Sequence, residues 1–85
     1  MTQGTLFIER PKPDELFKEG SQNYRLYKRL LDGPVTNAEV VREMNIFNST
    51  GRASDIRKAV KPYLMDVDAK KAPGTKSLWV YRLVG

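Results

Sequence analysis

No cysteine and no histidine occur in these 85 residues. Without cysteine there is no disulfide framework, no thiolate metal site and no thiol nucleophile, so the core rests on packing alone and suits a reducing cytoplasm. Without histidine the commonest general base and the commonest zinc ligand are missing. The hydroxyls of Ser49, Ser54 and Ser77 have no imidazole to activate them, and the aspartates and glutamates show no metal-ligand or paired-acid spacing. An enzyme, a bound metal and a cofactor are therefore not expected. No apolar run approaches the about 20 residues of a membrane span, and the opening MTQGTLFIERPKP lacks the basic flank and long apolar centre of a secretion signal. The expectation is a soluble cytoplasmic protein without a membrane partner.

A chain of this length holds one modest core. Its formal charge is +5, and the excess is confined to one part of the sequence. Residues 1 to 20 carry three basic and four acidic side chains, residues 21 to 48 four and three, and residues 49 to 85 eight and three. A local positive field of this kind favours phosphate-rich or acidic partners.

Residues 1 to 20 combine an apolar patch at Leu6, Phe7 and Ile8 with prolines at 11 and 13 and the acidic pair Asp14, Glu15. The prolines forbid one continuous regular element. This stretch reads as a flexible arm, with Leu16 and Phe17 available to dock on the core and Leu6 to Ile8 available to add a strand to a sheet edge or to a second subunit. The domain proper is expected over 21 to 85.

From Ser21, SQNYRLYKRLLDG places Tyr24, Tyr27, Leu30 and Leu31 on one side at helical spacing, with Arg25, Lys28 and Arg29 outside. Ser21 caps this first helix and Gly33-Pro34 stops it. The tetrad Thr36-Asn37-Ala38-Glu39 has the T-x-x-E form of a capping box, so a short second helix runs from Asn37 to about Met44. Asn45 suits its left-handed end, and Ile46 and Phe47 offer apolar anchors in the following turn. Asn48 or Ser49 caps the third helix, in which Ala53, Ile56 and Val60 form the apolar stripe. Its other face carries Thr50, Gly51, Ser54, Lys58 and Lys61, with Arg57 on the flank: small, hydrogen-bonding and cationic groups. Arg52 and Asp55, three apart, are placed to pair with each other or to tie the helix to the turn. Pro62 closes the helix. Residues 63 to 67 and 78 to 84 alternate as strands of a hairpin, joined by DAKKAPGTKS at 68 to 77, a polar tip bearing Lys70, Lys71 and Lys76.

Two short helices four residues apart, the second more cationic, followed by a basic hairpin, have the outline of a helix-turn-helix with a wing. At residue level, SQNYRLYKRLLDG, PVTNAEVVREMNI and GRASDIRKAV resemble the small winged helix-turn-helix DNA-binding proteins of bacteriophages and prophages. The likeness spans about residues 21 to 84, and Arg52, Ser54, Asp55, Ile56, Arg57 and Lys58 are its most specific part. One departure is Val60-Lys61-Pro62 where such sequences place glycine, so the exit into the hairpin is expected to turn on proline. The resemblance implies an α+β fold of three helices followed by a two-stranded antiparallel hairpin. It also implies double-stranded DNA as the partner, with a role in transcription or another DNA transaction.

In that reading Asn48, Ser49, Thr50, Gly51, Ser54 and Lys58 lie along the DNA-facing side of the third helix, with Ser49, Thr50, Ser54 and Lys58 toward base edges. Arg57, Lys61, Lys70, Lys71 and Lys76 lie nearer phosphates. The alternative is a module that binds a host protein through the same basic surface, favoured by Asp66 and Asp68 beside the wing and by the apolar arm. No heptad or free apolar patch outside the arm announces a dimer, and the oligomeric state is left open.

Overall fold

The computed structural model describes residues 10–85 of the chain. Over these residues the order is α1 (Pro13–Leu16), α2 (Gln22–Asp32), β1 (Val35–Thr36), α3 (Asn37–Met44), α4 (Ser49–Val60), β2 (Asp66–Lys71) and β3 (Trp79–Val84). The class is α+β, as expected, but the sheet is three-stranded and antiparallel in the order β1-β3-β2. Four helices and three strands thus replace the three helices and two strands read from the sequence. Among the described residues, no helix is long and apolar enough to cross a membrane.

The expected helices correspond to α2, α3 and α4. Ser21 Oγ accepts the Tyr24 N–H at 3.1 Å, so it caps α2 as anticipated. The buried positions of α2 are Leu26, Tyr27 and Leu30, whereas Tyr24 and Leu31 are only half-buried. The apolar arc is wider than one stripe because α1, α4 and β3 all pack on this helix.

At α3 the capping box forms in both directions. The Glu39 N–H donates to Thr36 Oγ1 at 3.0 Å, and the Thr36 N–H donates to Glu39 Oε1 at 2.8 Å. Hydrogen bonds from the Thr36 backbone and hydroxyl hold the Glu39 carboxyl below its ordinary value. Asn45 ends the helix in the left-handed region at φ 59, and its N–H reaches Val41 O. Thr36 also belongs to β1, where Val35 pairs with Tyr81 and Thr36 with Val80. A strand of two residues has no periodicity to read, which is why it escapes sequence inspection.

Ile46 is fully buried in the α3–α4 turn, but Phe47 is 75% exposed, so only the first of the two expected anchors serves as one. The exit from α4 also differs from expectation. Pro62 sits inside one tight helical turn over Lys61–Tyr63, and the chain reverses at Leu64, which takes the left-handed conformation at φ 62. Tyr63 is thereby kept out of the sheet, and β2 starts at Asp66 rather than at 63. Because β2 continues to Lys71, the connection is confined to residues 72 to 78, and Lys70 and Lys71 are strand residues, not loop residues. The tip turns at Pro73-Gly74, with Gly74 at φ 79, as a proline-glycine turn requires.

Within residues 10–20, Leu16 and Phe17 dock on the core, the option that the sequence held open for them. Pro13 opens α1, where its missing N–H costs nothing. The Phe17 ring meets Tyr27 edge-on at 5.9 Å. Tyr27 OH donates to Pro11 O at 2.7 Å, and burial pushes the phenol above its ordinary pKa. The patch Leu6 to Ile8 lies outside the described residues.

Tyr27→Phe removes that buried bond and leaves Pro11 O unpaired, so urea unfolding should show a loss of about 1 kcal/mol, with faster amide exchange in residues 11 to 17. Unchanged stability and exchange would show that these residues are not held. Leu64 is 74% exposed, so Leu64→Gly sacrifices little packing while relieving a left-handed leucine. It should leave stability unchanged or raise it by up to about 1 kcal/mol; a clear loss would mean that the leucine side chain contributes to the turn.

Candidate nucleic-acid interface

Helix α4 buries Ser49, Ala53, Ile56 and Val60 along one side, packed against α2 and β2. That spacing dictates what faces outward. Thr50, Ser54, Lys58 and, in the following turn, Lys61 are exposed. The cap is Asn48, whose Oδ1 accepts the Gly51 N–H at 3.1 Å. Gly51 has a local reason to be small, since a Cβ there would run into the Asn48 amide. The carboxylates that border this arc, Asp55 and Asp66, are each paired with an arginine. Asp55 is on the flank toward α2, where it pairs with Arg52 at 3.3 Å and accepts from Asn23 Nδ2 at 3.4 Å. Both members of the expected Arg52–Asp55 pair are therefore occupied within the fold.

Two residues expected at the contact surface serve the fold instead. Ser49 is only 8% exposed, and its hydroxyl lies 3.2 Å from Tyr81 OH, so it joins α4 to β3 and cannot reach a base edge. The cause is helical phase: Ser49 lies four residues before Ala53 and shares its buried side. Arg57 Nε lies 2.8 Å from Asp66 Oδ1, and its Nη2 donates to Val67 O. This guanidinium fastens α4 to the hairpin rather than standing free for phosphate. Thr50 keeps an exposed position, with Oγ1 3.4 Å from Tyr81 OH.

On the hairpin, register separates the lysines. Val67 pairs with Leu83, Ala69 with Tyr81 and Lys71 with Trp79. Directly paired residues share a face, and the first two pairs face the helices. Lys71 and Trp79 therefore continue the helix-facing side beyond the core, Lys71 standing at the strand end where it also borders the groove on the other face. Lys70 pairs with Val80, and Asp68 pairs with Arg82, on the opposite face. The cross-strand ion pair there, Arg82 Nη2 to Asp68 Oδ2, measures 3.4 Å. Lys70 thus departs from the surface shared by α4 and Lys71, because strand neighbours alternate. Lys76 is exposed at the tip.

Between α4 and the hairpin runs a shallow cleft lined by Thr50, Ser54, Arg57, Ala69, Trp79 and Tyr81. Trp79 is the residue that sequence inspection missed. Its alternation with Tyr81 and Leu83 marks it as core, but β3 overhangs the helices at that end and leaves it 40% exposed. Asn37 was also missed. Its Oδ1 accepts the Trp79 N–H and its Nδ2 donates to Ser77 O, both at 3.0 Å, so the start of α3 holds the hairpin in place. A larger concavity, between α2 and α3, is lined by Arg25, Lys28 and Arg29 together with Asp32 and Glu43. Its charge is mixed and it lacks the single sign of the α4 surface.

Compared with protein families, curated proteins and solved structures, the chain shows no match. The α4 surface offers hydroxyl, amide and ammonium donors on a rigid helix, with further ammonium groups across a narrow cleft.

Ser49→Ala deletes the buried bond to Tyr81 and should lower stability by about 1 kcal/mol in urea melts. Ser54→Ala, on the exposed side, should stay within about 0.5 kcal/mol of the parent. Equal effects would contradict the assigned phase of α4.

Proposed function

We propose that this chain is a winged helix-turn-helix protein that binds double-stranded DNA. In this reading α3 and α4 are the helix-turn-helix, α4 enters the major groove, and the β2–β3 hairpin is the wing, lying on the adjacent backbone or minor groove. The observation that carries it is the row of donors Thr50, Ser54, Lys58 and Lys61 exposed on one side of α4, with Lys71 on the hairpin as the cross-strand partner of Trp79. The girth of a helix with its side chains, roughly 10–12 Å, suits a major groove about 12 Å wide.

Within that pose, Ser54 and Lys58 lie nearest base edges, where a hydroxyl bonds donor or acceptor and lysine favours guanine. Thr50, Lys61, Lys71 and Lys76 lie nearer phosphates. Asn48 and Gly51 shape the N-terminus of α4, whose free N–H groups suit a further phosphate. Arg57 acts through the hairpin it holds. Lys70 reaches only phosphates on the outer side of the wing. Regulation of transcription or of another DNA transaction is the role such a surface serves.

In the sequence, the host-protein alternative is favoured by Asp66, Asp68 and the apolar arm. Asp66 and Asp68 are consumed in ion pairs with Arg57 and Arg82, and the apolar arm patch lies outside the described residues.

Neutralising about five phosphates should give log affinity against log salt a slope of about −4 to −5. Lys71→Ala should weaken all duplexes alike and reduce the slope by about one, whereas Lys58→Ala should change which sequences are preferred in a selection from random DNA. An affinity indifferent to salt, or sequence preference untouched by Lys58→Ala, would overturn the placement of α4.

A further inference from the structure

The cleft between α4 and the wing is not described by charge alone. Its outer end is formed by the only tryptophan of the chain. Trp79 lines a recess of about 180 Å³ with Thr50, Ala69 and Tyr81. The backbone at Trp79 is fixed by the Asn37 side chain, and Lys71 is its direct cross-strand partner on the same face. A 40% exposed indole is an apolar plane left open to solvent, and here its cross-strand partner is a lysine and Thr50 lines the same recess. The recess is too small for a base pair but has room for one pentose ring. An apolar plane with a cation at its edge matches one repeat of a nucleic-acid backbone, in which an apolar sugar face adjoins a phosphate.

We propose that Trp79 and Lys71 form a clamp for a single nucleotide unit of the DNA backbone, the indole packing on a deoxyribose and the ammonium on the adjoining phosphate. This rests on the DNA-binding reading and adds to it a contact that does not depend on charge. Phosphate contacts release counterions and respond to salt, whereas packing of an aromatic plane on a sugar does not. The two halves of the clamp are therefore separable by salt dependence. Asn37 is the positioning residue, since it sets where the strand carrying Trp79 begins.

The test titrates the full chain with duplex DNA at low salt, following the emission of Trp79 and, in parallel, the anisotropy of a labelled duplex. Emission should shift and quench along the same curve as the anisotropy. Trp79→Ala should weaken binding about tenfold, in the range found for aromatic contacts to nucleic acid, with the salt slope unchanged. Trp79→Phe should retain most of the affinity, and if the alanine variant does not fold the emission of Trp79 in the parent decides the matter. Lys71→Ala should lower the slope by about one. If anisotropy reports binding while Trp79 emission stays that of the free protein, or if Trp79→Ala binds as tightly as the parent, the clamp is wrong and DNA binding stands. If anisotropy does not change even at low salt, DNA binding fails and the clamp fails with it.

Discussion

Burial of Ser49, Ala53, Ile56 and Val60 along one side of α4 decides both what that helix packs against and what it displays. A helix has one phase, so seating these four residues against α2 and β2 turns Thr50, Ser54 and Lys58 outward at the same stroke. Tyr81 completes the seat. Its ring is buried, it pairs with both Val35 and Ala69, and its hydroxyl meets Ser49 and Thr50. One residue of the central strand thereby touches β1, β2 and α4, and the relative placement of α4 and the β2–β3 hairpin follows from it.

The charge layout obeys a division of labour between arginine and lysine. The guanidinium groups are largely turned to the fold: Arg52 to Asp55, Arg57 to Asp66 and Val67 O, Arg82 to Asp68, and Arg29 to the carbonyls of Gly33 and Pro34. A planar fork with several donors suits such fixed multiple contacts, while an ammonium on a flexible stem does not need them. Lys58, Lys61, Lys71 and Lys76 take part in none of the ion pairs among the described residues. Each surface ion pair adds little stability on its own. Their larger effect is to pair Asp55, Asp66 and Asp68, the carboxylates nearest the lysines, with arginine and so leave the lysines unpaired.

Much of this was legible in the residues because the relevant signals are local. Caps at Ser21, Thr36 and Asn48 name their helices through short-range bonds, and the 3.6-residue period of α4 gives its buried side. The signals that failed are those set by tertiary context. Leu26 is buried because α2 is covered on several sides, and Phe47 is exposed because the turn after α3 swings it outward. Lys70 and Lys71 look alike in a polar run, yet strand alternation sends them to different faces. Leu64 carries a left-handed turn that glycine would ordinarily mark, and the two-residue β1 leaves no pattern at all. Ser49 was within reach: counting back four from Ala53 puts it on the inner side.

The central claim is that the outward side of α4 and the helix-facing side of the wing act as one surface on a polyanion. It is tested most directly by titrating the isotopically labelled chain with duplex DNA and mapping backbone amide shifts. The expected result is a contiguous set of shifts over residues 48 to 61 together with 71 to 79, and little change over α1 and the α2–α3 groove. Shifts gathered in that groove, or none at low salt, would contradict it.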